Sequence, residues 1–520
     1  MSEQNKTLSC LGDPANHQAD NVADYLLEGK DDAALALLTL EGDYTYGQLQ
    51  TASLDVAKFL AMRGGRKGDR ALLVADNGFF WVATYLGMLR AGLICVPLPT
   101  STSSEDLEYI IGLTEARFLF AQARFAAKNA APVVGLARVT DSTAAPAASA
   151  TSFASLLASG AGGGAALFPK VHHDDLAALM FTSGSTARPR GVMISHGNII
   201  ANTDSILQYL GLSADERMMT VLPFHYCFGT SLLHSHLRAG GTLVIDRRFL
   251  FPEKVLQRML QTECTGFAGV PSHFQILLRR SGLRKMSFPH LRYVQQAGGH
   301  LAPIFLRELR EALPGTKIFI MYGQTEATAR LSYLPPEMLD QKAGSIGRAI
   351  PGVRLEVLEE SGRPVAPGEI GEIVAQGKNI AQGYWRAAQE TAEIFRDGKL
   401  YTGDLARVDE DGFLYIVDRA KDFLKCGGKR VSCRQIEETL LEFEGVLEAA
   451  VIGVADATLG EAVKAFVVPR ERNGGIMENQ VRLFCKQRMP AWLVPREIVV
   501  LDSLPKNSAG KVLKLALKAL

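Results

Sequence analysis

The chain contains few cysteines and no long apolar run. Its seven cysteines are widely spread without a Cys-x-x-Cys pair, a pattern that argues against a disulfide framework and a zinc site. No segment approaches the roughly 18 apolar residues of a membrane-spanning helix, and residues 1–16 are too polar for a signal peptide. We therefore expect reduced thiols, a cytoplasmic location and no integral membrane segment.

The chain also shows no marked excess of charge of one sign. Its 56 Lys and Arg residues balance 55 Asp and Glu residues, which leaves a formal net charge of +1 at pH 7. This balance gives no electrostatic signal for binding nucleic acid or an anionic membrane, so we expect no nucleic-acid partner. The length of 520 residues predicts roughly two to four folding units.

The first half of the chain alternates between helical and apolar strand patterns. Apolar strands at residues 71–74, 93–98 and 116–121 are separated by helical segments, which predicts a parallel sheet with both faces covered. Residues 141–164 are rich in Ala, Ser and Gly. We interpret that segment as a linker or surface loop outside the core.

Three later strands, at 265–270, 291–296 and 317–322, end in Gly, Pro or polar residues. Open α/β sheets bind their ligands at this edge, so we expect the site there. Residues 344–414 change to an antiparallel pattern with turn signals, and a charged break at 418–422 precedes a unit with its own pattern. The predicted domains are 1–418 and 419–520.

One loop carries the first chemical signal. An apolar run at 176–180 leads into small hydroxylated residues and glycine: Thr182, Ser183, Gly184, Ser185 and Thr186. Backbone N–H groups and hydroxyls presented together bind phosphate oxygens. The loop does not end in the Gly-Lys-Ser/Thr of a Walker A sequence, and an ordinary Ser/Gly turn is the alternative interpretation.

This loop and four later motifs resemble the adenylate-forming superfamily of acyl-CoA synthetases, luciferases and free-standing adenylation enzymes. The motifs follow the family's order over nearly the whole chain, at residues 181–191, 321–326, 401–404, 418–428 and 504–511. The resemblance implies an α/β fold with a large N-terminal domain of parallel α/β sheets and a small antiparallel β subdomain. A small, mobile α+β C-terminal domain follows.

The resemblance also implies a two-step reaction. ATP activates a carboxylic acid to an acyl-adenylate with release of pyrophosphate. The acyl group then passes to the thiol of coenzyme A, or of phosphopantetheine on an acyl or peptidyl carrier protein. A carboxylate that attacks an α-phosphate brings negative charges together, so the site must supply cations, N–H donors and a hard metal such as Mg²⁺.

In this resemblance the phosphate loop holds the nucleotide's β- and γ-phosphates. Thr182, Ser183 and Thr186 contact the oxygens, and Arg190 supplies positive charge nearby. The sequence departs from the family pattern at Ala187, where glycine is usual, and at Arg190, where lysine is usual. Arginine keeps the charge but has a larger, planar head, so the geometry of pyrophosphate binding is expected to change.

The remaining nucleotide contacts come from four other segments. Tyr322 is expected to stack on adenine, Gly298 to let the base approach the backbone, and Asp404 to accept hydrogen bonds from the ribose hydroxyls. Arg419 is expected to reach the ribose or a phosphate. The nucleotide site is completed by Gly299, Gly323 and Gln324.

The resemblance assigns catalysis to four further positions. Glu326 binds Mg²⁺ and Thr325 contacts the α-phosphate. Lys511, in a loop near the carboxyl terminus, bridges the acid's carboxylate to the α-phosphate. Lys421 is the hinge about which the small domain rotates, and after rotation Lys425 faces the site beside the thiol arm.

The acid-binding residues are predicted from the segment His225-Tyr226-Cys227. His225 and Tyr226 match an aromatic gate beside the acyl pocket, although two aromatic residues in a buried segment also serve as packing. Cys227 stands where amino-acid-activating members carry an aspartate. An α-amino acid is therefore a poor substrate, because its ammonium group would be buried without a partner.

Two alternatives stay open from the sequence. The acceptor thiol belongs either to coenzyme A or to a carrier protein. A non-catalytic nucleotide-binding relative, in which the altered loop has lost turnover, is the second alternative, and the retained Glu326, Asp404 and Lys511 speak against it.

Overall fold

The computed structural model describes residues 19–142, 150–159, 168–182, 188–419, 423–426, 429–456, 460–471, 478–507 and 510–520. The predicted hinge residue Lys421 lies outside the described residues, and for Arg419 and Lys425 the description is limited to the backbone. Four predicted phosphate-loop residues also lie outside the described ranges: Ser183, Gly184, Ser185 and Thr186.

The first sheet is parallel except for its last pair of strands. Its strands lie in the order Ala150–Ser152, Ala137–Thr140, Phe118–Ala121, Arg70–Val74, Ile94–Pro97, Leu176–Thr182 and Arg190–Ser195. Interior strands such as Phe118–Ala121 are buried along their whole length, because helices cover both faces. The last pair is antiparallel and sets Thr182 opposite Arg190, at the two ends of the predicted phosphate loop.

The second sheet supplies most of the site. Its strands lie in the order Arg348–Ala349, Ser332–Leu334, Lys317–Tyr322, Tyr293–Gln296, Gly266–Gly269, Arg217–Thr220, Thr242–Ile245, Leu35–Leu38 and Asp43–Thr45. The central strands are parallel. Their carboxyl ends therefore meet at one edge, as the sequence predicts.

Helices cover both sheets, and local sequence signals explain where several of them begin. Thr45 and Ser195 form capping boxes with Gln48 and Asn198, and Pro252 opens another helix, where its missing N–H is no loss. The α-helices are Val22–Leu27, Tyr46–Met62, Phe79–Arg90, Ser104–Thr114, Ala123–Lys128, Phe153–Ala158, His196–Leu210, Cys227–Ala239, Pro252–Gln261, Pro271–Arg280, Pro303–Ala312, Ala388–Ile394, Cys433–Leu441, Glu478–Arg488 and Lys514–Leu517.

The interpretation of residues 141–164 as a linker outside the core is wrong for its described middle part. The strand Ala150–Ser152 pairs in parallel with Ala137–Thr140, and the helix Phe153–Ala158 follows it. Phe153 and Leu156 are buried in the main core. They are three residues apart and lie on one face of the helix, a period that the surrounding Ala, Ser and Gly residues conceal.

Two smaller sheets complete the fold. The antiparallel one contains Val353–Leu358, Ile370–Gly377, Lys399–Val408 and Phe395–Arg396, with Leu414–Arg419 added alongside Lys399–Val408. The carboxyl-terminal one contains Lys429–Ser432, Phe423–Cys426, Gly460–Pro469 and Val446–Asp456, with Glu497–Val500 added in parallel to Gly460–Pro469. The predicted fold class is confirmed, whereas the domain boundary at 418/419 stays a prediction.

The carboxyl-terminal unit packs directly against the second sheet's helices. Arg280 donates hydrogen bonds to the carbonyls of Pro469 at 2.6 Å and Arg470 at 3.0 Å. Arg279 donates to the carbonyl of Val446 and lies over the ring of Phe305, 4.3 Å from its centroid. These contacts fix the position of the carboxyl-terminal unit relative to the second sheet.

Among the described residues, no helix combines the length and the apolar character needed to cross a membrane.

Candidate functional site

A cavity of about 1830 Å³ lies at the carboxyl edge of the second sheet, between the antiparallel sheet and the carboxyl-terminal unit. It is larger than the roughly 300–1,000 Å³ of an ordinary ligand pocket. Most of the described predicted site residues line it: Thr182, Arg190, Tyr226, Cys227, Gly298, Gly299, Tyr322, Gly323, Gln324, Thr325, Glu326, Asp404 and Lys511. Segments more than 300 residues apart in the sequence thus contribute to one space.

His225 is placed behind the cavity wall. Its ring centroid lies 4.6 Å from that of Tyr226, which does line the cavity. Burial lowers the pKa of His225 to about 4, so the imidazole is neutral at pH 7, and its buried Nε2 has no hydrogen-bond partner in the described structure. Of the predicted gate pair, Tyr226 faces the cavity and His225 supports it.

Two predicted nucleotide contacts are joined to each other. The hydroxyl of Tyr322 donates a hydrogen bond to Oδ2 of Asp404 at 2.7 Å. The bond fixes a nearly buried carboxylate, and strand pairing sets Arg419 directly across from Asp404. A carboxylate held in this way can accept hydrogen bonds from a pair of hydroxyl groups.

Glycine is required at two positions of the cavity wall. Gly298 has φ +80°, and a Cβ there would lie 2.9 Å from Cγ1 of Val270. A Cβ on Gly323 would lie 1.9 Å from the carbonyl oxygen of Ala329. Neighbouring protein atoms therefore restrict both positions to glycine, and their contacts with the nucleotide stay predictions. Next to them, the buried Nε2 of Gln324 has no hydrogen-bond partner in the described structure, so a donor is left for a ligand.

Glu326 is held by a tyrosine that the sequence analysis missed. The Tyr384 hydroxyl donates to Oε1 of Glu326 at 2.8 Å. Burial and then the Glu326 carboxylate raise the pKa of Tyr384, so the phenol stays protonated and remains a donor. The only available signal was the aromatic pair Tyr384-Trp385, which follows a glycine and resembles ordinary packing.

Arg190 lies over the same tyrosine. Its guanidinium carbon is 5.6 Å from the ring centroid of Tyr384, and Nη2 is 3.9 Å from Oε1 of Glu390. The long separation in that partly exposed pair makes a weak salt bridge. The guanidinium is therefore positioned at the cavity wall, over the tyrosine that holds Glu326, and no carboxylate of the described residues pairs strongly with it.

We expect Arg190→Ala to raise the KM for ATP about tenfold, the size of one lost charge-assisted hydrogen bond, and Arg190→Lys to be tolerated. Steady-state kinetics with varied ATP measure this. Arg188→Ala is the matched control, because Arg188 lies over Tyr109 at 5.0 Å and neither residue lines the cavity. Equal KM values for Arg190→Ala and the unmodified enzyme would show that Arg190 does not contact the phosphates.

Thr325 and Cys227 meet at the cavity wall, on the side predicted to receive the acid. The Thr325 hydroxyl lies 3.5 Å from the sulfur of Cys227 and donates to it. Burial raises the pKa of Cys227, so the thiol is uncharged at pH 7. Cys227 itself therefore offers no negative charge to an ammonium group, although the Glu326 carboxylate is close enough to act on the thiol electrostatically. The expectation that α-amino acids are poor substrates stays a prediction.

The chain after Glu326 makes a strained turn. Thr328 has φ +65° and ψ −52°, and the N–H of Ala329 donates to the carbonyl of Ala327 at 2.7 Å. These values define a γ-turn of the rare, strained kind, at a cost of about 1–3 kcal/mol. The Asn379 side chain, which donates to the carbonyl of Arg330 at 2.9 Å, helps to hold it.

Lys511 enters the cavity from the carboxyl-terminal unit. Its backbone N–H donates to Oδ1 of Asn507 at 3.0 Å. Lys506 and Val512 form an isolated antiparallel β-bridge across the same loop. His300 and Glu438 join the two units at the cavity's edge, with Nε2 of His300 2.6 Å from Oε1 of Glu438. The lysine's presence beside the second sheet therefore depends on the domain pose.

The fold and the cavity together define a two-unit adenylate-forming ligase. The family model of the AMP-binding enzyme matches residues 27–385, and that of the AMP-binding enzyme C-terminal domain matches residues 435–511. The chain belongs to the AMP-binding enzyme family.

Named relatives agree with this assignment. The chain is 32% identical to a feruloyl-CoA synthase from Amycolatopsis sp. over 90% of this chain and 92% of the relative. It is 29% identical to a long-chain-fatty-acid–CoA ligase from Salmonella typhimurium over 91% and 89%. The structure of o-succinylbenzoate CoA synthetase from Bacillus subtilis, in complex with the acyl-adenylate OSB-AMP, matches with a TM-score of 0.82 and 27% identity over 96% and 98%.

These comparisons confirm the predicted superfamily and the prediction of an AMP-forming acid–thiol ligase. The roles assigned to individual site residues are not tested by them and remain predictions.

Proposed function

We propose that the protein joins a carboxylic acid to coenzyme A through an acyl-adenylate. The observation that carries this proposal is the meeting of Glu326, Asp404 and Lys511, from three separate motifs, around one cavity. In the first step a carboxylate oxygen attacks the α-phosphorus of ATP and pyrophosphate leaves. In the second the thiol attacks the acyl carbonyl carbon, AMP leaves, and the thiol proton passes to solvent.

The residues divide these tasks by their chemistry. Asp404, fixed by Tyr322, accepts hydrogen bonds from the ribose, while Arg190 and Thr182 attract the leaving pyrophosphate. Lys511 stabilises the negative charge shared by the attacking carboxylate and the α-phosphate. Interactions that strengthen as this charge develops accelerate the reaction, whereas uniform binding of ATP does not.

Glu326 is the proposed ligand of a magnesium ion. Within the described residues no group of three or more His, Cys, Asp or Glu side chains gathers to hold a metal by itself. Mg²⁺ fits this donor set, since it commonly takes one or two carboxylates together with substrate phosphates. When bound, the ion would neutralise charge on the phosphates, and the hydrogen bond from Tyr384 would hold in place the Glu326 carboxylate that binds it.

Coenzyme A is the proposed acceptor because the named relatives are CoA ligases. A carrier-protein phosphopantetheine presents the same thiol and is the alternative acceptor. Use of ATP and coenzyme A is compatible with the expected cytoplasmic location, which remains a proposal.

The test is to incubate the protein with ATP, Mg²⁺ and a panel of fatty, aromatic and amino acids, and to measure pyrophosphate release. Mass spectrometry then identifies the thioester after addition of coenzyme A or a phosphopantetheinylated carrier protein. Acid-dependent pyrophosphate release followed by an acyl-CoA supports the proposal. No release of pyrophosphate across the panel would favour the non-catalytic relative. Acyl transfer to the carrier protein alone would show that the acceptor is the carrier protein and not coenzyme A.

Within that panel we expect acids without an α-ammonium group to be favoured over their α-amino counterparts by at least about tenfold. The buried ammonium would meet the neutral thiol of Cys227 rather than a carboxylate, and an unpaired buried charge is costly. ATP–pyrophosphate exchange with hexanoate and norleucine measures this for one matched pair. A clear preference for norleucine would contradict the expectation.

A further inference from the structure

Arg330 is buried beside the acyl side of the cavity. It is 2% exposed. Its Nη1 donates to the hydroxyl of Tyr209 at 2.6 Å, and its Nη2 donates to the hydroxyl of Ser231 at 3.3 Å. The guanidinium carbon lies 5.1 Å from the ring centroid of Phe228. All of these neighbours are uncharged.

No carboxylate of the described residues lies within ion-pair distance of this guanidinium, and its Nε has no hydrogen-bond partner there. Arginine is rarely buried so completely unless it is paired, because an uncompensated charge in the interior loses its solvation. By contrast, the similarly buried Arg279 pairs with Glu308 at 2.9 Å. Arg330 therefore has an unmet capacity to bind an anion.

The position of Arg330 relates this capacity to the substrate. Phe228 and Met321, which it contacts, both line the large cavity. Ser231 lines a second cavity of about 20 Å³, and Cys227 lines both spaces. The guanidinium thus lies one side-chain layer behind the wall that faces the acid, on the side of Cys227.

The strained turn at Thr328 explains how an arginine reaches this place. The turn reverses the chain two residues after Glu326, and the Asn202 and Asn379 side chains both donate to the carbonyl of Arg330, at 3.1 Å and 2.9 Å. Backbone strain held by several contacts is characteristic of functional segments.

We propose that Arg330 is a specificity-determining residue that binds a second carboxylate of the acid substrate, at the end remote from the reacting carboxylate. The inference rests on the proposed ligase function and adds a substrate class, the dicarboxylic acids. A carboxylate fits the planar fork of a guanidinium through two parallel hydrogen bonds. To reach it, the acid's far end passes Cys227, displaces the Phe228 ring and takes the place of Ser231 at Nη2.

The test compares kcat/KM for acids matched in length that differ at the far end. Linear dicarboxylates of roughly three to eight carbons are paired with the corresponding monocarboxylates, and terephthalate is paired with 4-methylbenzoate. We expect the best dicarboxylate to be favoured by at least about tenfold, the worth of a charge-assisted hydrogen bond. Arg330→Met should reverse this preference, mainly through KM, and Arg330→Lys should keep part of it.

Controls separate this inference from a structural role for Arg330. Arg330→Met and the unmodified enzyme are compared in ATP binding and in thermal unfolding, which report on the fold. If Arg330 merely supports Phe228, Arg330→Met lowers kcat/KM for both members of each pair equally, and the proposal fails. If Arg330→Met does not fold, the test uses the unmodified enzyme and Arg330→Lys. A preference for the dicarboxylate in the unmodified enzyme that is reduced in Arg330→Lys supports the proposal, and the absence of that preference contradicts it.

The outcomes also distinguish this proposal from the proposed function. A monocarboxylate preferred in every pair by the unmodified enzyme would overturn the role of Arg330 while leaving the ligase function in place. Absence of any adenylate from the wider acid panel would overturn the ligase function itself.

Discussion

Replacing Glu326 by glutamine is expected to slow acyl-adenylate formation by on the order of a hundredfold, the effect of removing one contact to developing charge in a transition state. Glutamine keeps the shape of glutamate, and its carbonyl oxygen can still accept the hydrogen bond from Tyr384. The fold around the γ-turn should therefore survive while the negative charge is lost. Single-turnover pyrophosphate release at saturating ATP and varied Mg²⁺ measures the effect.

Tyr384→Phe is the matched variant for this experiment. It removes the hydrogen bond to Glu326 but leaves the carboxylate. We therefore expect a smaller loss of the rate of acyl-adenylate formation than for Glu326→Gln, and a rate that depends less on the Mg²⁺ concentration than in Glu326→Gln. If Glu326→Gln forms adenylate at nearly the normal rate, Glu326 is not at the phosphates. A larger loss in Tyr384→Phe than in Glu326→Gln would assign the catalytic contribution to the tyrosine.

The sequence predicts those parts of the fold in which local pattern and burial agree. The strand Lys317–Tyr322 was predicted with its observed bounds, because an apolar run is followed directly by glycine. The helix Phe153–Ala158 was missed, because two buried side chains in a segment of small residues give too weak a period. Short elements buried by distant partners are not determined by their own composition.

The candidate site shows the same division. Motif order locates Tyr322, Glu326 and Asp404, yet it does not predict that Tyr322 bonds to Asp404 or that Tyr384 bonds to Glu326. Those contacts join residues that are distant in sequence. The first exists because the antiparallel sheet, which carries Asp404, packs against the end of the strand that carries Tyr322. The second exists because Tyr384 lies beside the first sheet, where it forms a bridge with Val192. Arg330 lies four residues after Glu326, but its burial depends on the turn at Thr328. The positive φ of Thr328 cannot be predicted from the local sequence pattern.

Replacing Lys511 by alanine is expected to slow adenylate formation by on the order of a hundredfold to a thousandfold, while thioester formation from a supplied acyl-adenylate continues. Lys511 lies in the cavity in the pose described here, and that pose is held by Arg280 and by the contact between His300 and Glu438. An attacking thiol needs an open path to the acyl carbon, so we expect the carboxyl-terminal unit to rotate after adenylation.

Lys421→Pro is the reciprocal variant, because proline fixes φ at the predicted hinge and should trap one pose. We expect it to retain adenylate formation and to lose thioester formation, the opposite of Lys511→Ala. Lys518→Ala is the control for loss of a lysine, since Lys518 is exposed and lies outside the cavity lining. The two half-reactions are followed separately, as pyrophosphate release from ATP and as acyl-CoA formation from synthetic acyl-adenylate. Parallel loss of both half-reactions in both variants would contradict the two-pose mechanism, because a single rigid arrangement would then serve both steps.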